Sequence, residues 1–347
     1  MSYDAILFVS FGGPEGPDDV MPFLENVLRG RNVPRERMLE VSEHYNHYGG
    51  VSPINAQNRA LIAALENELA EHGPDLPVYF GNRNWNPMLT DTMQKMKEDG
   101  VKRAIAFVTS AFSCYSGCRQ YRENVYAACD SVGGDAPVVD KLRVYYNHPG
   151  FVEPMVDNVK AALSNVEESK RDGTRILFTA HSIPKGMADN SKYEWQLQES
   201  CRLVAGGVGP NPWKLVYQSR SGAPHHPWLE PDICDHIEAV HAEDPMSDVV
   251  IVPIGFISDH MEVMYDLDDE ANELCEKLGI NMYRAATVGT DPRFVTMIRQ
   301  LVEERMAESP NRLCLGEHGP SHDVCPEDCC MPGGRPPAAG GRPAASR

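Results

Sequence analysis

A histidine stands where an apolar run stops, in Thr179-Ala180-His181-Ser182-Ile183-Pro184. Pro184 cannot continue a strand, so His181 is left at a sheet's edge, where a neutral imidazole can ligate a transition metal or accept a proton near neutral pH. Hydrogen-bonding the backbone of the turn is the plainer use of the same side chain. A second segment, from Asp259 through His260, Met261 and Glu262 to Glu270, is rich in carboxylates. On an α-helix Glu262, Asp266 and Glu270 fall at i, i+4 and i+8 and stack along one face. Such a ridge repels itself unless it is solvated, cation-bound or partly protonated. It can therefore pass a divalent cation inward or protons outward, or serve simply as a solvated acidic face. Met261, Met264 and Leu267 mark the neighbouring faces as buried. One imidazole facing one carboxylate, His181 and Glu262, makes an incomplete site that suits Fe²⁺ in transit better than a stored ion.

Cysteines supply a third chemistry. Four of the ten fall between Cys314 and Cys330, with the pattern Cys314-x₁₀-Cys325-x₃-Cys329-Cys330. Adjacent cysteines fit poorly with the paired spacing of a zinc ribbon, whereas a [2Fe–2S] cluster needs four thiolates and accepts more varied spacing. Cys325, Cys329 and Cys330 offer three, and Cys118 in the body or Cys314 nearby offers the fourth. Zinc binding and a redox-sensitive tail without metal are the competing readings.

The elements that must position these residues follow from apolar runs. Runs at residues 5–9, 104–108, 176–179 and 249–253 end in turn residues and alternate with amphipathic helical patterns. That alternation predicts an α/β protein with parallel sheets covered on both faces. Residues 76–80 and 215–218 add a comparable strand to each half. Two similar doubly wound halves are expected, residues 1–150 and 151–308, with a cleft between them. Ligands of open α/β sheets sit beyond the carboxyl ends of the strands, and Ser110, His181 and Asp259 lie just past such ends. A last helix near residues 292–308 is followed by a cysteine-bearing extension, 309–330, and a Gly-, Pro- and Ala-rich tail, 331–347, expected to be disordered.

The turn Phe11-Gly12-Gly13-Pro14-Glu15-Gly16-Pro17 matches neither common phosphate-binding pattern, and Glu15 would repel an anion. Arg29, Arg31 and Ser52 offer cations and a hydroxyl to substrate carboxylates, and Tyr121 offers an aromatic face. With 32 Lys and Arg against 50 Asp and Glu among 347 residues, the charge of −18 argues against nucleic acid as a partner. No apolar run approaches the roughly 20 residues of a membrane span, and the start lacks the features of a signal peptide. A cytoplasmic protein is expected.

Several segments together resemble the ferrochelatase family: Ser10-Phe11-Gly12-Gly13-Pro14, Arg29-Gly30-Arg31, Gly49-Gly50-Val51-Ser52-Pro53, the His181 segment, Gln218-Ser219-Arg220-Ser221-Gly222 and Ser258-Asp259-His260-Met261-Glu262. They occur in the family's order. The resemblance implies two Rossmann-like domains with a porphyrin cleft between them, and insertion of Fe²⁺ into the porphyrin with release of two protons. It implies His181 and Glu262 as the pair handling metal and protons, with Asp266 and Glu270 continuing an acidic line. Ser52 and Tyr121 would contact the porphyrin. Phe11 stands where the family's coproporphyrin branch often has a tyrosine able to ligate product iron, so that role does not carry over, although Phe11 can still pack on the macrocycle.

The early segment from Pro34 to Glu40 is largely charged where a membrane-associated relative exposes an apolar lip, which favours soluble coproporphyrin III over protoporphyrin IX. The cysteine tail is also similar to that of the coproporphyrin-using bacterial type, which supports the [2Fe–2S] reading. An iron donor and a downstream enzyme of the haem pathway complete the implied partners. Two rivals stay open, a cobalt or nickel tetrapyrrole chelatase and a non-enzymatic haem or iron–sulfur sensor.

Overall fold

The computed structural model describes residues 2–30, 33–222 and 225–333. Arg31 and most of the tail expected to be disordered lie outside the described residues. Eight strands among those described form two four-stranded parallel sheets. The first comprises β1 (Ala5–Ser10), β2 (Val78–Asn82), β3 (Arg103–Val108) and β4 (Val138–Lys141), in the order β2-β1-β3-β4. The second comprises β5 (Arg175–His181), β6 (Trp213–Gln218), β7 (Asp248–Val252) and β8 (Asn281–Arg284), in the order β6-β5-β7-β8. The two halves thus share one topology. Central strands such as β1 and β7 are buried at every position, as continuous apolar runs require when both faces are covered.

The sequence reading missed the outer strands β4 and β8. Each has four residues, few of them buried, so neither leaves an apolar run to recognise. It also ended the third strand too early. β5 runs through His181, which pairs with Gln218 in register, so the imidazole is carried by the last residue of a strand and not by a loop.

The largest core cluster contains Ile6, Phe8 and Phe107 of the first sheet together with Ile176, Phe178 and Val250 of the second. The helix Pro292–Met306 reaches from the end of the second half to the helix Ile54–His72 of the first, where Arg299 and Thr296 bond Glu68 at 2.8 and 3.0 Å. A smaller cluster, built on Val20, Phe23 and Leu24, joins the helices Pro17–Val27 and Arg35–His47 beside the carboxyl edge of the first sheet.

Candidate functional site

In each sheet the strand order reverses direction between two central strands, β1 and β3 in one and β5 and β7 in the other. Their carboxyl ends are where such folds leave room for a ligand. His181 ends β5, and Glu262 follows β7 at the start of the helical stretch that begins with Met261–Val263. His181 Nε2 lies 3.5 Å from Glu262 Oε1. The other ring nitrogen, Nδ1, is held by the carbonyl of Ser182, which fixes the ring with Nε2 toward the carboxylate. The carbonyl of His181 itself accepts a 3.0 Å bond from the Tyr193 hydroxyl. Both groups are surrounded by protein yet keep 31% and 46% of their side-chain surfaces exposed.

Burial alone would push the His181 imidazole toward its neutral form. Glu262, the Ser182 carbonyl and Asp266 outweigh that and raise its pKa to about 9. Burial likewise opposes ionisation of Glu262, but His181 and His260 bring its pKa down to about 2. At neutral pH the pair therefore holds one proton, which an arriving divalent cation can displace. His260 accepts the Glu262 amide at Nδ1, 3.2 Å away, and burial keeps its pKa below the usual histidine value.

The carboxylates of the ridge are carried by a different kind of helix from the one their spacing suggested, Glu262 in the short turn Met261–Val263 and Asp266 and Glu270 in the π-helical stretch after it. Residues Met264–Ala271 form a π-helical segment that passes into the α-helix Asn272–Leu278. The i→i+5 turns rearrange the ridge, and such segments are frequent at functional sites. Asp266 is held by the Ser219 hydroxyl and by Gln218 Nε2 at 3.3 Å, and the same Gln218 nitrogen bonds the backbone carbonyl of Glu262 at 2.9 Å. Burial, with Glu262 and Glu270 nearby, lifts the Asp266 pKa to about 7 against the pull of those two donors. Burial and neighbouring carboxylates, Asp232 first among them, raise Glu270 as well. Asp259, by contrast, is tied up by Arg284 at 3.1 and 3.3 Å.

The helix Arg35–His47 lies against this π-helical segment. His44 stacks on Tyr265 with ring centres 3.7 Å apart, and the Tyr48 hydroxyl donates to Asp269 at 2.7 Å. Tyr45 comes close enough to Glu262 for the carboxylate to add to the burial that raises its phenol's pKa. On the first sheet, Gly12 has φ +83° and an added Cβ there would meet Asn82 at 2.9 Å; at Gly13 one would meet Ser52 at 2.7 Å. The two glycines therefore bring the Phe11 turn against β2 and Ser52. Phe11 packs edge-on to Phe23, and Arg83 lies 5.7 Å from the Phe11 ring centre and 4.4 Å from that of Tyr121. Tyr121 is only 5% exposed and Ser52 only 4%. Arg29 is exposed just past the helix Pro17–Val27.

Sequence reasoning overlooked Arg83, Gln218 as a positioning group, Tyr45 and Tyr48. A signal existed for the first two. Asn82-Arg83 and Gln218-Ser219-Arg220 occupy matching places at the ends of β2 and β6, as the pairings Ser10 with Asn82 and His181 with Gln218 show. Tyr45 and Tyr48 reach their partners across long sequence separations, and nothing local announces that.

A second constellation lies elsewhere. Cys118 sits in a π-helical turn, Tyr115–Arg119, and touches Cys325 and Cys330; Cys325 also touches Cys329, whose Sγ lies 3.5 Å from that of Cys330. These four thiols line one gap together with Arg119, Arg122 and Lys141. Hydrogen bonds from Cys325 and Cys330 hold Cys118 and Cys329 far below the usual thiol range. Arg119 Nη1 donates to the carbonyls of Glu327 and Cys329 at 2.6 and 3.0 Å. Cys314, the alternative fourth thiol, lies beside Tyr146 and does not line the gap, because its flanks are fixed by Arg143 and Asn147. His322, which the cysteine spacing did not bring to notice, lies 3.9 Å from Cys329 Sγ.

Comparison with known proteins gives this geometry a family. The sequence matches the ferrochelatase family over residues 3–306. It is 61% identical to a ferrochelatase of Rhodopirellula baltica over 342 residues, 98% of this chain and 97% of the relative. It is 54% identical to a coproporphyrin III ferrochelatase of Streptomyces coelicolor, covering 99% of this chain and 96% of the relative. Among solved structures, SirB from Bacillus subtilis with Fe³⁺ aligns with 88% of this chain and 98% of its own at a TM-score of 0.52; at 13% identity that likeness concerns the fold alone. Two duplicated parallel sheets with an imidazole–carboxylate pair at the second switch point, in a sequence matched along nearly its whole length, place this chain in the ferrochelatase family.

Proposed function

We propose that this enzyme inserts Fe²⁺ into coproporphyrin III, with His181 and Glu262 as the residues that meet the metal and take up the displaced protons. The reaction forms four Fe–N bonds, breaks two pyrrole N–H bonds and releases two protons. The observation that carries the reading is the His181–Glu262 pair, 3.5 Å apart at the sheet's carboxyl edge and partly open to the cleft. A pair that already shares one proton must pass it on before accepting another. Asp266, with a pKa of about 7, is the neighbour able to release protons at neutral pH, and Glu270 continues the line. A cleft fixed by hydrogen bonds can bind a distorted macrocycle in preference to the flat one, which lowers the barrier to metal entry.

Coproporphyrin III as the substrate is supported by the names of relatives at about half identity over nearly the full chain and by the charged helix Arg35–His47 at the cleft. Among the described residues no helix is long and apolar enough to cross a membrane. For the macrocycle itself, Phe11 offers a partly exposed ring, Arg29 and Arg83 offer cations to propionates, and Ser52 and Tyr121 form the surface behind them. Because Tyr121 is so nearly buried under Arg83, its contact with a substrate is through that guanidinium first.

The four thiols suit a [2Fe–2S] cluster held by Cys118, Cys325, Cys329 and Cys330. Soft sulfur donors are the right type, and Arg119, Arg122 and Lys141 offset the negative charge. Such a cluster supplies one-electron redox chemistry and a cross-link between the C-terminal segment and the first half.

Anaerobic insertion of Fe²⁺ into coproporphyrin III and, separately, protoporphyrin IX tests the reading by absorbance. The expected result is turnover of coproporphyrin III with little of protoporphyrin IX. His181→Ala and Glu262→Gln should each lose on the order of 10²–10⁴ in rate, the usual share of a positioned acid or base. Preference for protoporphyrin would overturn the substrate, and full activity of both variants would overturn the site.

A further inference from the structure

The chain around Cys329 contains one metal-binding donor more than a two-iron cluster uses. The ligand atoms of His322, Cys325 and Cys329 all lie within 4.8 Å of one another, with His322 Nε2 and Cys329 Sγ 3.9 Å apart. A tetrahedral ion bonded at about 2.3 Å to sulfur and about 2.0 Å to nitrogen spaces its donors by roughly 3.5–3.8 Å. Closing the three onto one ion therefore needs a contraction of at most about 1.3 Å between any two donors. The spacing His322-x₂-Cys325-x₃-Cys329 also falls in the range usual for pairs of zinc ligands.

We propose that the C-terminal segment carries a second metal site overlapping the first: a single zinc-like divalent ion held by His322, Cys325 and Cys329, with solvent at the fourth corner, in place of the iron–sulfur cluster. Only the mutual exclusion rests on the cluster reading; the three-ligand site stands on its own geometry. Two thiolates cancel the charge of a divalent ion. His322 is exposed, so the fourth corner opens to water, as in sites that keep a position free. The segment is docked through Arg119 on the carbonyls of Glu327 and Cys329 and through the Arg312–Asp323 pair, which bring the donors together. The two sites share Cys325 and Cys329. Cys118 and Cys330 belong to the cluster alone, and His322 belongs to the single ion alone. Supply of iron–sulfur units or of zinc would decide which site is filled.

The test uses the full chain, stripped of metal under anaerobic conditions and titrated with Co²⁺ as a visible substitute for zinc. Charge transfer from thiolate to cobalt reports sulfur coordination, so Co²⁺ bound at the His181–Glu262 cleft does not contribute to it. The wild-type chain should show a tetrahedral thiolate spectrum at one equivalent. Cys118→Ser should keep that spectrum but fail to assemble a [2Fe–2S] cluster on reconstitution. His322→Ala should assemble the cluster yet bind Co²⁺ at least about tenfold more weakly, since even outer-shell losses cost that much. Cys325→Ser should lose both. Unchanged Co²⁺ affinity and spectrum in His322→Ala, or no thiolate spectrum in the wild type, would overturn the proposal even where the cluster forms. A Cys118→Ser chain that still assembles a normal cluster would instead overturn the cluster's ligand set, and with it the exclusion.

Discussion

Ser219 shows how much a single residue can be asked to do. Its φ of +60° is uncommon for any residue but glycine, and such a conformation costs of order 1 kcal/mol. It places the hydroxyl on the carboxylate of Asp266, the group whose pKa stands at about 7 because it is buried beside Glu262 and Glu270. A donor to a carboxylate favours its ionised form, so removing it raises the pKa further. Ser219→Gly deletes the hydroxyl and relieves the backbone together, and the two effects are read apart, the backbone in stability and the hydroxyl in the pH profile. The variant should fold at least as well as the parent. The acid limb of its kcat/KM for Fe²⁺ should move about one unit to higher pH, with the KM for porphyrin unchanged. An acid limb left in place would show that the hydroxyl does not act on Asp266.

At the scale of elements, the duplicated topology puts π-helical turns in equivalent places. Tyr115–Arg119 follows β3 and carries Cys118; Met264–Ala271 follows β7 and carries Asp266 and Glu270. The sequence shows the strands before both turns because continuous apolar runs reflect burial on two faces. It does not show that either turn is π rather than α, since the carboxylates of an acidic ridge have the same spacing along the chain in both. His181 was legible because Pro184 marks where its strand must stop, and Glu262 because it follows the matching strand. Arg119 was not, since its partners are backbone carbonyls more than 200 residues away. Those bonds predict that the C-terminal segment is held by an element of the first half and not only by its cysteines. Arg119→Ala should make the chain between residues 309 and 330 markedly more sensitive to limited proteolysis with every cysteine intact. Equal protection of the variant and the parent would assign the docking to the thiols instead.

On the scale of the whole molecule, the halves are bound into one structure by buried polar groups as well as by the shared core. Arg143, just past β4, makes a two-pronged pair with Glu304 of the last helix at 2.8 and 2.9 Å, both side chains almost wholly buried. His148 lies close enough for the Arg143 charge to act on it. It caps the helix Pro149–Ser164 by accepting the Gly150 amide at Nδ1, 3.0 Å away. Burial first, and Arg143 second, push the pKa of His148 down to about 3. Its value in an unfolded chain is about 6.5, so below that pH the unfolded state takes up the proton first and stability falls. The slope approaches about 1.4 kcal/mol per pH unit until the folded-state value is reached. His181 has the opposite sign. With its folded pKa raised to about 9, its contribution is complete below about 6.5 and is lost as pH rises through 9. The two histidines therefore act with opposite sign on either side of about pH 6.5, and on the acid side the buried Asp266, whose folded pKa is raised to about 7, opposes His148. Urea unfolding midpoints should therefore fall from pH 7 to 9, and the part due to His148 is read as the difference between the parent and a variant that cannot titrate at that position. His148→Asn keeps a capping oxygen but cannot titrate, so relative to the parent it should gain stability as pH falls from 6.5 to 5.5 and run parallel to it on the alkaline side. A difference between variant and parent that stays constant from pH 6.5 to 5.5 would show that His148 does not titrate between the folded and unfolded states.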